Sequence, residues 1–341
     1  MNSLLYADKL SKYVLEREIP KNVEFLGRVK DYFFRSYQKK YIVNNCSLSL
    51  AKGETIAVLG KNGAGKSTLI KMMTGVIVPS SGELVVCNAK PHLREANFLK
   101  NIGVVFGHKN SLMWDLPLFD SLNLHKVIYH LEDKYYKSRL NYLLEILNLT
   151  KCLNSKIKFM SLGERVKANL VMNLLHEPVL VFLDEPTIGV DIESKNQIRE
   201  FINYEKCQNK TSFVMASHDP SDIENCCDHI YILSDGEMAF SKKTEKIKDV
   251  YKDKIKIIVK KDVISQKYFN NLKSENNLVL KEYVNTYSMT FSKNLERIIV
   301  NSLIENNITS FELRIMTFEE ILADMFDIAG NINNEDDDEF E

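Results

Sequence analysis

The sequence predicts an α/β domain, built on a parallel sheet with crossover helices, followed by a smaller α+β domain. Three observations carry that prediction. Short apolar runs alternate with helix-patterned segments from about residue 46 to residue 240. A glycine-rich loop stands between one such run and a helix. Glycine punctuation then fades near residue 250, where an alternating strand pattern begins.

Taken in order, residues 3–7 read as a first strand, and 19–35 as a short inserted helix of mixed apolar and basic character before a strand at 46–50. Strand-like runs follow at 55–59, 102–106, 179–183, 212–216 and 229–234. Between Leu118 and Lys158 the pattern turns helical, with Leu140, Leu143, Leu144 and Leu147 at helical spacing. That block reads as a helical subdomain, about residues 110–170, inserted in a first domain of residues 1–245. From 250 to 330 the order is strand (Ile255, Ile257, Val259), helix, strand (278–283), strand (288–291), helix (294–305), strand (Phe311, Leu313, Ile315). This is the order of a ferredoxin-like split β-α-β sandwich. The like-charge run Glu335–Glu339 reads as part of a disordered tail, 331–341.

At 341 residues the length favours two domains, and a net charge of -1 gives no electrostatic case for a nucleic-acid partner. No apolar stretch approaches the ~18 residues of a membrane span, and the first residues lack signal-peptide character, so a cytoplasmic location is expected. Six cysteines are scattered without a C-x-x-C pair and read as reduced thiols rather than a zinc site; His125 and His130 read as packing residues.

The most informative segment is Gly60-Lys61-Asn62-Gly63-Ala64-Gly65-Lys66-Ser67-Thr68, between the apolar run 56–59 and the helix-like 69–73. The glycines let successive backbone N–H groups converge on phosphate oxygens, Lys66 brings a point charge to the terminal phosphates, and the Ser67 hydroxyl can ligate magnesium. The following helix aims its positive end at the same anion. Downstream, the apolar run 179–183 ends in Asp184 and Glu185. A strand so terminated can place one carboxylate on magnesium and the next beside the attacking water, making Asp184 the metal-side residue and Glu185 the candidate general base. Ser161, in Met160-Ser161-Leu162-Gly163-Glu164, can cap the next helix and, with Gly163, form an anion site at its amino end.

With these motifs the chain resembles the nucleotide-binding subunits of ATP-binding cassette transporters, a P-loop NTPase cassette with a mixed sheet. The phosphate loop matches 60–68, the Leu-Ser-Gly-Gly-Gln type signature 160–164, the Walker B strand and catalytic carboxylate 179–185, the D-loop Gly189-Val190-Asp191, and the switch histidine His218. More narrowly, 102–117 and the tail motif 317–322 are similar to a prokaryotic subgroup whose permeases are of the second export type.

The resemblance implies an ATPase that drives a separately encoded membrane permease from the inner face of the membrane. Two head-to-tail subunits, this chain with a second copy of itself or with a homologous cassette subunit, would hold two ATP molecules, each with Mg2+, between Lys66, Ser67 and Asp184 of one chain and Ser161 and Gly163 of the other. Asp191 would join the nucleotide contacts, and His218 would hold the terminal phosphate in register with Glu185. Two rival readings remain: a cassette ATPase without a permease, and an ATP-gated regulatory subunit with weak hydrolysis. Either Tyr13 or Tyr37 is placed to stack on adenine. The signature carries Leu162 for the usual first glycine and Glu164 for the usual glutamine.

His108 stands where the family usually has glutamine. A neutral imidazole offers one acceptor, whereas a protonated one would repel magnesium. If His108 serves as a water-mediated replacement, the native chain and His108→Gln hydrolyse ATP at matching rates between about pH 6 and 8. A native rate that drops selectively on the acid side marks the repulsive reading.

Overall fold

The computed structural model describes residues 3–17, 37–106, 111–262, 265–266, 268–269 and 279–335. The inserted helix read at 19–35, His108 and most of the acidic tail lie outside these residues. The described chain divides into two compact units, the first running through Lys242 and resuming at Ile328, the second spanning Lys243–Asp327.

In the first unit, β1 (Ser3–Arg17) pairs antiparallel with β2 (Tyr37–Ala51) and with β4 (Ser81–Val86) in a three-stranded sheet. Both long strands reach well beyond the segments 3–7 and 46–50 suggested by sequence. A second sheet carries β3 (Thr55–Gly60), β5 (Ile102–Phe106), β6 (Leu180–Asp184), β7 (Ser212–Ala216), β8 (His229–Ser234) and β9 (Glu237–Lys243) in the order β5-β6-β7-β3-β8-β9. From β5 to β8 each neighbouring pair is parallel. These strands are mainly apolar because helices cover both faces, the condition for a parallel sheet. The main core joins the two sheets through α1 (Lys66–Met73), with Leu5, Leu50, Val58, Leu69, Phe98 and Phe182 fully or almost fully buried.

After β5 the chain forms a helical block of α3 (Leu118–Tyr129), α4 (Asp133–Ile146) and α5 (Leu162–Leu174), α2 being the short Ala96–Asn101. Leu140, Leu143 and Leu144 sit on the buried face of α4, as their spacing requires. Glu205, on α6 (Ile192–Asn209), is 0 % exposed and anchors this block. It accepts hydrogen bonds from Arg139 Nη2 (3.1 Å) and Tyr142 Oη (3.1 Å) on α4, and from Asn209 Nδ2 (2.8 Å). Four further elements follow: α7 (Pro220–Cys226) ahead of β8, and then, in the second unit, α8 (Thr244–Tyr251), α9 (Glu296–Glu305) and the first part of α10 (Phe318–Glu335), which from Ile328 belongs to the first unit.

The second unit's sheet has the order β11-β12-β10-β13, from β10 (Lys254–Lys260), β11 (Val279–Glu282), β12 (Thr286–Ser292) and β13 (Phe311–Ile315), with every pairing antiparallel. Counted within the unit this is 2-3-1-4, with the first and last strands adjacent, as in a split β-α-β sandwich. Ile255, Ile257 and Val259 face Ile299 and Leu303 of α9. On the opposite face Glu320 of α10 receives Lys256 (2.7 Å) and the Arg314 fork (2.7 and 2.8 Å), which holds its carboxyl down to about 2 against the opposing effect of burial.

Removing one partner from a buried ion pair strands the other charge, whereas replacing both by apolar groups is close to neutral. Arg139→Met should therefore lower unfolding free energy by about 3–5 kcal/mol in urea titrations, and adding Glu205→Leu should recover most of the loss.

Candidate functional site

Three neighbouring strands deliver the phosphate-side residues. In the run β6-β7-β3 the strands are parallel, so their carboxyl ends open on one rim, the place where open α/β sheets receive ligands. The glycine loop follows β3, Asp184 closes β6, and His218 stands two residues beyond β7.

The loop's path admits no side chain at two points. Gly65, at φ +100°, would place a Cβ 2.5 Å from the carbonyl oxygen of Ile42, and a Cβ on Gly60 would lie 2.6 Å from that of Leu233. Lys66 opens α1 and donates from Nζ to the carbonyls of Gly60 (2.6 Å) and Lys61 (3.1 Å). Burial pulls its pKa below the usual lysine range, and the carboxylates of Glu185 and Asp184 oppose that fall. The Ser67 hydroxyl faces Asp184 Oδ1 at 3.4 Å, so two hard oxygen groups meet where loop and strand join. Such donors suit magnesium.

Glu185 adopts φ +54°, a left-handed conformation that costs a residue with a Cβ about 1–3 kcal/mol. Its N–H donates to the Ala216 carbonyl at 2.8 Å, which joins the ends of β6 and β7. Its Oε2 accepts the His218 backbone N–H at 3.3 Å, and Oε1 lies 3.3 Å from His218 Nε2. That second approach lacks hydrogen-bond angles, so Oε1 is a buried acceptor with no hydrogen-bond donor. An acceptor in this state is suited to hold a water. Burial pushes the Glu185 carboxyl above the ordinary glutamate range, while His218 and Lys66 pull it back.

Ser161, Gly163 and Asp191 form a cluster of their own. Ser161 caps α5: its hydroxyl accepts the Glu164 N–H (3.2 Å) and Glu164 Oε2 accepts the Ser161 N–H (2.7 Å), a reciprocal capping box. The glutamate found in place of the family's glutamine thus has a local task, and the Ser161 N–H holds its carboxyl below the usual range. A Cβ on Gly163 would come 2.4 Å from Ser194 Oγ and 3.0 Å from Asp191 Oδ2, so this glycine lets α5 pack on the start of α6. Asp191 caps α6 by accepting the Ser194 N–H at 2.9 Å.

Of the adenine candidates, Tyr13 sits opposite Tyr41 across β1 and β2, with ring centroids 5.6 Å apart. Tyr41 directly precedes Ile42, whose carbonyl approaches Gly65, while Tyr37 lies five residues from Ile42, about 17 Å along an extended strand. Tyr41 lies outside every motif legible in the sequence, and so does a buried knot in which Asp222 joins Thr187, Ser217 and Arg199. The only sequence signal for the knot was a carboxylate four residues after His218, a common residue in a common place.

A sequence model of the ABC transporter family matches residues 43–188. The ABC transporter ATP-binding protein NatA of Bacillus subtilis is 31 % identical, over 58 % of this chain and 80 % of NatA. The linearmycin resistance ATP-binding protein LnrL of the same organism is 36 % identical, over 62 % of this chain and 68 % of LnrL. Among solved structures, an ATP-binding subunit of an ABC transporter aligns with TM-score 0.59 at 24 % identity, covering 73 % of this chain and 93 % of the other. The cassette MJ0796, as a post-hydrolysis dimer bound to ADP and Pi, aligns with TM-score 0.58 at 20 % identity, covering 70 % and 98 %. With the phosphate loop, paired carboxylates and histidine on one rim, and these relatives alongside, the chain belongs to the ATP-binding cassette transporter family, as an ATP-binding and ATP-hydrolysing subunit.

Proposed function

We propose that this chain drives an exporter whose permease is a separate polypeptide, and that two copies of it close head to tail on two molecules of Mg-ATP. Subunits of this family act in pairs and with membrane components. The observation that carries the reading is that Lys66, Ser67, Asp184, Glu185 and His218 meet on the sheet rim, while Ser161, Gly163 and Asp191 gather at the starts of α5 and α6 with no hydrogen bond or ion pair to the rim residues among the described residues. A second copy turned head to tail would bring one cluster over the other's rim.

In that arrangement the N–H groups of 60–68 and the amino end of α1 cradle the phosphates, and Lys66 turns its ammonium to the terminal ones. Ser67 and Asp184 would hold Mg2+, which when bound offsets the phosphates' negative charge. Glu185 accepts a hydrogen bond from water through Oε1 and aims it in line with the terminal phosphorus. The new P–O bond forms as the bond to ADP breaks, and the water's proton passes to the departing phosphate. His218 keeps the carboxylate in place. The Tyr13–Tyr41 pair is the better placed for adenine.

The export assignment rests on the likeness of 102–117 and 317–322 to the exporter subgroup. For permease contact, exposed Leu116, Phe119, Leu124, Val127 and Ile128 cluster on and before α3. No helix of the described residues is long and apolar enough to cross a membrane. We place the subunit peripherally, on the inner membrane face.

Lys66→Ala should abolish hydrolysis, and full activity in that variant would overturn the assignment. Glu185→Gln should lower kcat by about 10²–10⁴-fold. A carboxyl whose folded pKa is raised costs stability once pH rises through that pKa, so the neutral isostere removes a penalty. The Glu185→Gln melting temperature at neutral pH should therefore equal or exceed the native value. By the same sign, the acid limb of native kcat/KM should have its midpoint above the ordinary glutamate range.

A further inference from the structure

Asp222 lies on α7 outside every recognised motif, with 1 % of its surface exposed. A carboxylate this deep is tolerated only when donors surround it. Here three donors arrive from three separate segments. The Thr187 hydroxyl donates to Oδ2, the Ser217 hydroxyl donates to the same oxygen at 2.9 Å, and Arg199 Nε donates to Oδ1 at 2.6 Å.

The origins of these donors matter. Thr187 stands two residues after Glu185, and Ser217 immediately precedes His218. One oxygen therefore pins the backbones that leave β6 and β7, just beyond the point where Glu185 N–H meets the Ala216 carbonyl. Arg199 belongs to α6, which begins at the Asp191 cap, and the same guanidinium reaches Asp219 Oδ2 at 3.1 Å, where Lys195 also arrives at 2.7 Å. Asp219 in turn caps α7 through the Ser221 N–H. The left-handed backbone at Glu185 persists only where its surroundings over-determine it. The Ala216 bond fixes one side of that strained residue, and Asp222 fixes the other.

Resting on Glu185 and His218 as the hydrolytic pair, we infer that Asp222 is a positioning residue for ATP hydrolysis. Through Thr187 and Ser217 it holds the Glu185 and His218 segments at a fixed separation, and through Arg199 it ties both to the helix that starts at Asp191. It acts on turnover through geometry and leaves nucleotide affinity alone.

The full-length chain is assayed for ATP hydrolysis, for equilibrium binding of a fluorescent ATP analogue and for thermal stability, as native protein and as Asp222→Asn, Thr187→Val, Ser217→Ala and Glu185→Gln. Asparagine keeps the shape of Asp222 but replaces an acceptor oxygen by a donor. Asp222→Asn should lower kcat about ten- to a hundredfold, and each hydroxyl variant a few-fold, with the Kd for the analogue within about twofold of native. Combining Thr187→Val or Ser217→Ala with Asp222→Asn should add little, because all three break one unit. A native kcat in Asp222→Asn, while Glu185→Gln is inactive, overturns the inference and leaves the hydrolytic pair standing. A parallel loss of affinity and kcat assigns Asp222 a plain folding role and also overturns it. Full activity in Glu185→Gln removes the pair itself, and the inference with it. If Asp222→Asn fails to fold, the hydroxyl variants decide, and native kcat in both of them overturns the inference.

Discussion

The contact between Glu185 and His218 is the constraint on which the rest of the rim depends. A water-orienting carboxylate must be buried enough to keep a free acceptor and close enough to a cation to stay ionised, and these demands oppose each other. Glu185 is 16 % exposed beside a histidine that is 48 % exposed, and its Oε1 is left without a hydrogen bond. The parallel register that sets Asp184 beside Ala216 brings both residues to the same height on the sheet. Lys66 supplies the cation, from the loop that follows β3. The site is thus a consequence of three strand ends at one level, with a single strained residue adjusting the last few ångströms.

Much of this was legible in the sequence, and the reasons are physical. The strands β3, β5, β6, β7 and β8 were found at nearly their true limits because burial on both faces leaves uninterrupted apolar runs. The loop 60–68 was legible because its path forbids side chains at Gly60 and Gly65, and that prohibition is written into residue type. Edge strands hid. β4 and β9 lie at the margins of their sheets and are largely half-buried or exposed, so no apolar run marks them. The outer half of β1 and β2 escaped notice for the same reason, since Val14, Leu15, Tyr37 and Tyr41 are exposed. The Asp222 knot escaped because it gathers ordinary residues from 187, 199 and 217, a juxtaposition that only folding produces.

The structure also separates two meanings of the signature residues. Read as a motif, Ser161 and Gly163 are phosphate contacts. Within one chain, Ser161 holds a capping box and Gly163 clears space for Ser194 and Asp191. These roles are compatible: a capped helix start keeps its remaining N–H groups pointed outward, and the close packing of α5 on α6 sets Gly163 against Ser194 and Asp191. Leu162, in place of a glycine, lies against Gly189 of that same D-loop, where a Cβ would sit 3.1 Å from its Cδ2. The departures from the family pattern at 162 and 164 therefore reinforce one cluster and leave its serine hydroxyl available as a donor.

If each cluster is half of a site, the chain works only when a second copy supplies the other half. The direct measurement is the solution mass of the full-length Glu185→Gln variant by light scattering with saturating ATP and magnesium, where binding proceeds but release by hydrolysis is blocked. The account predicts a particle of twice the 39.4 kDa chain with ATP, returning to a single chain with ADP. A variant that binds ATP yet stays at 39.4 kDa would contradict it.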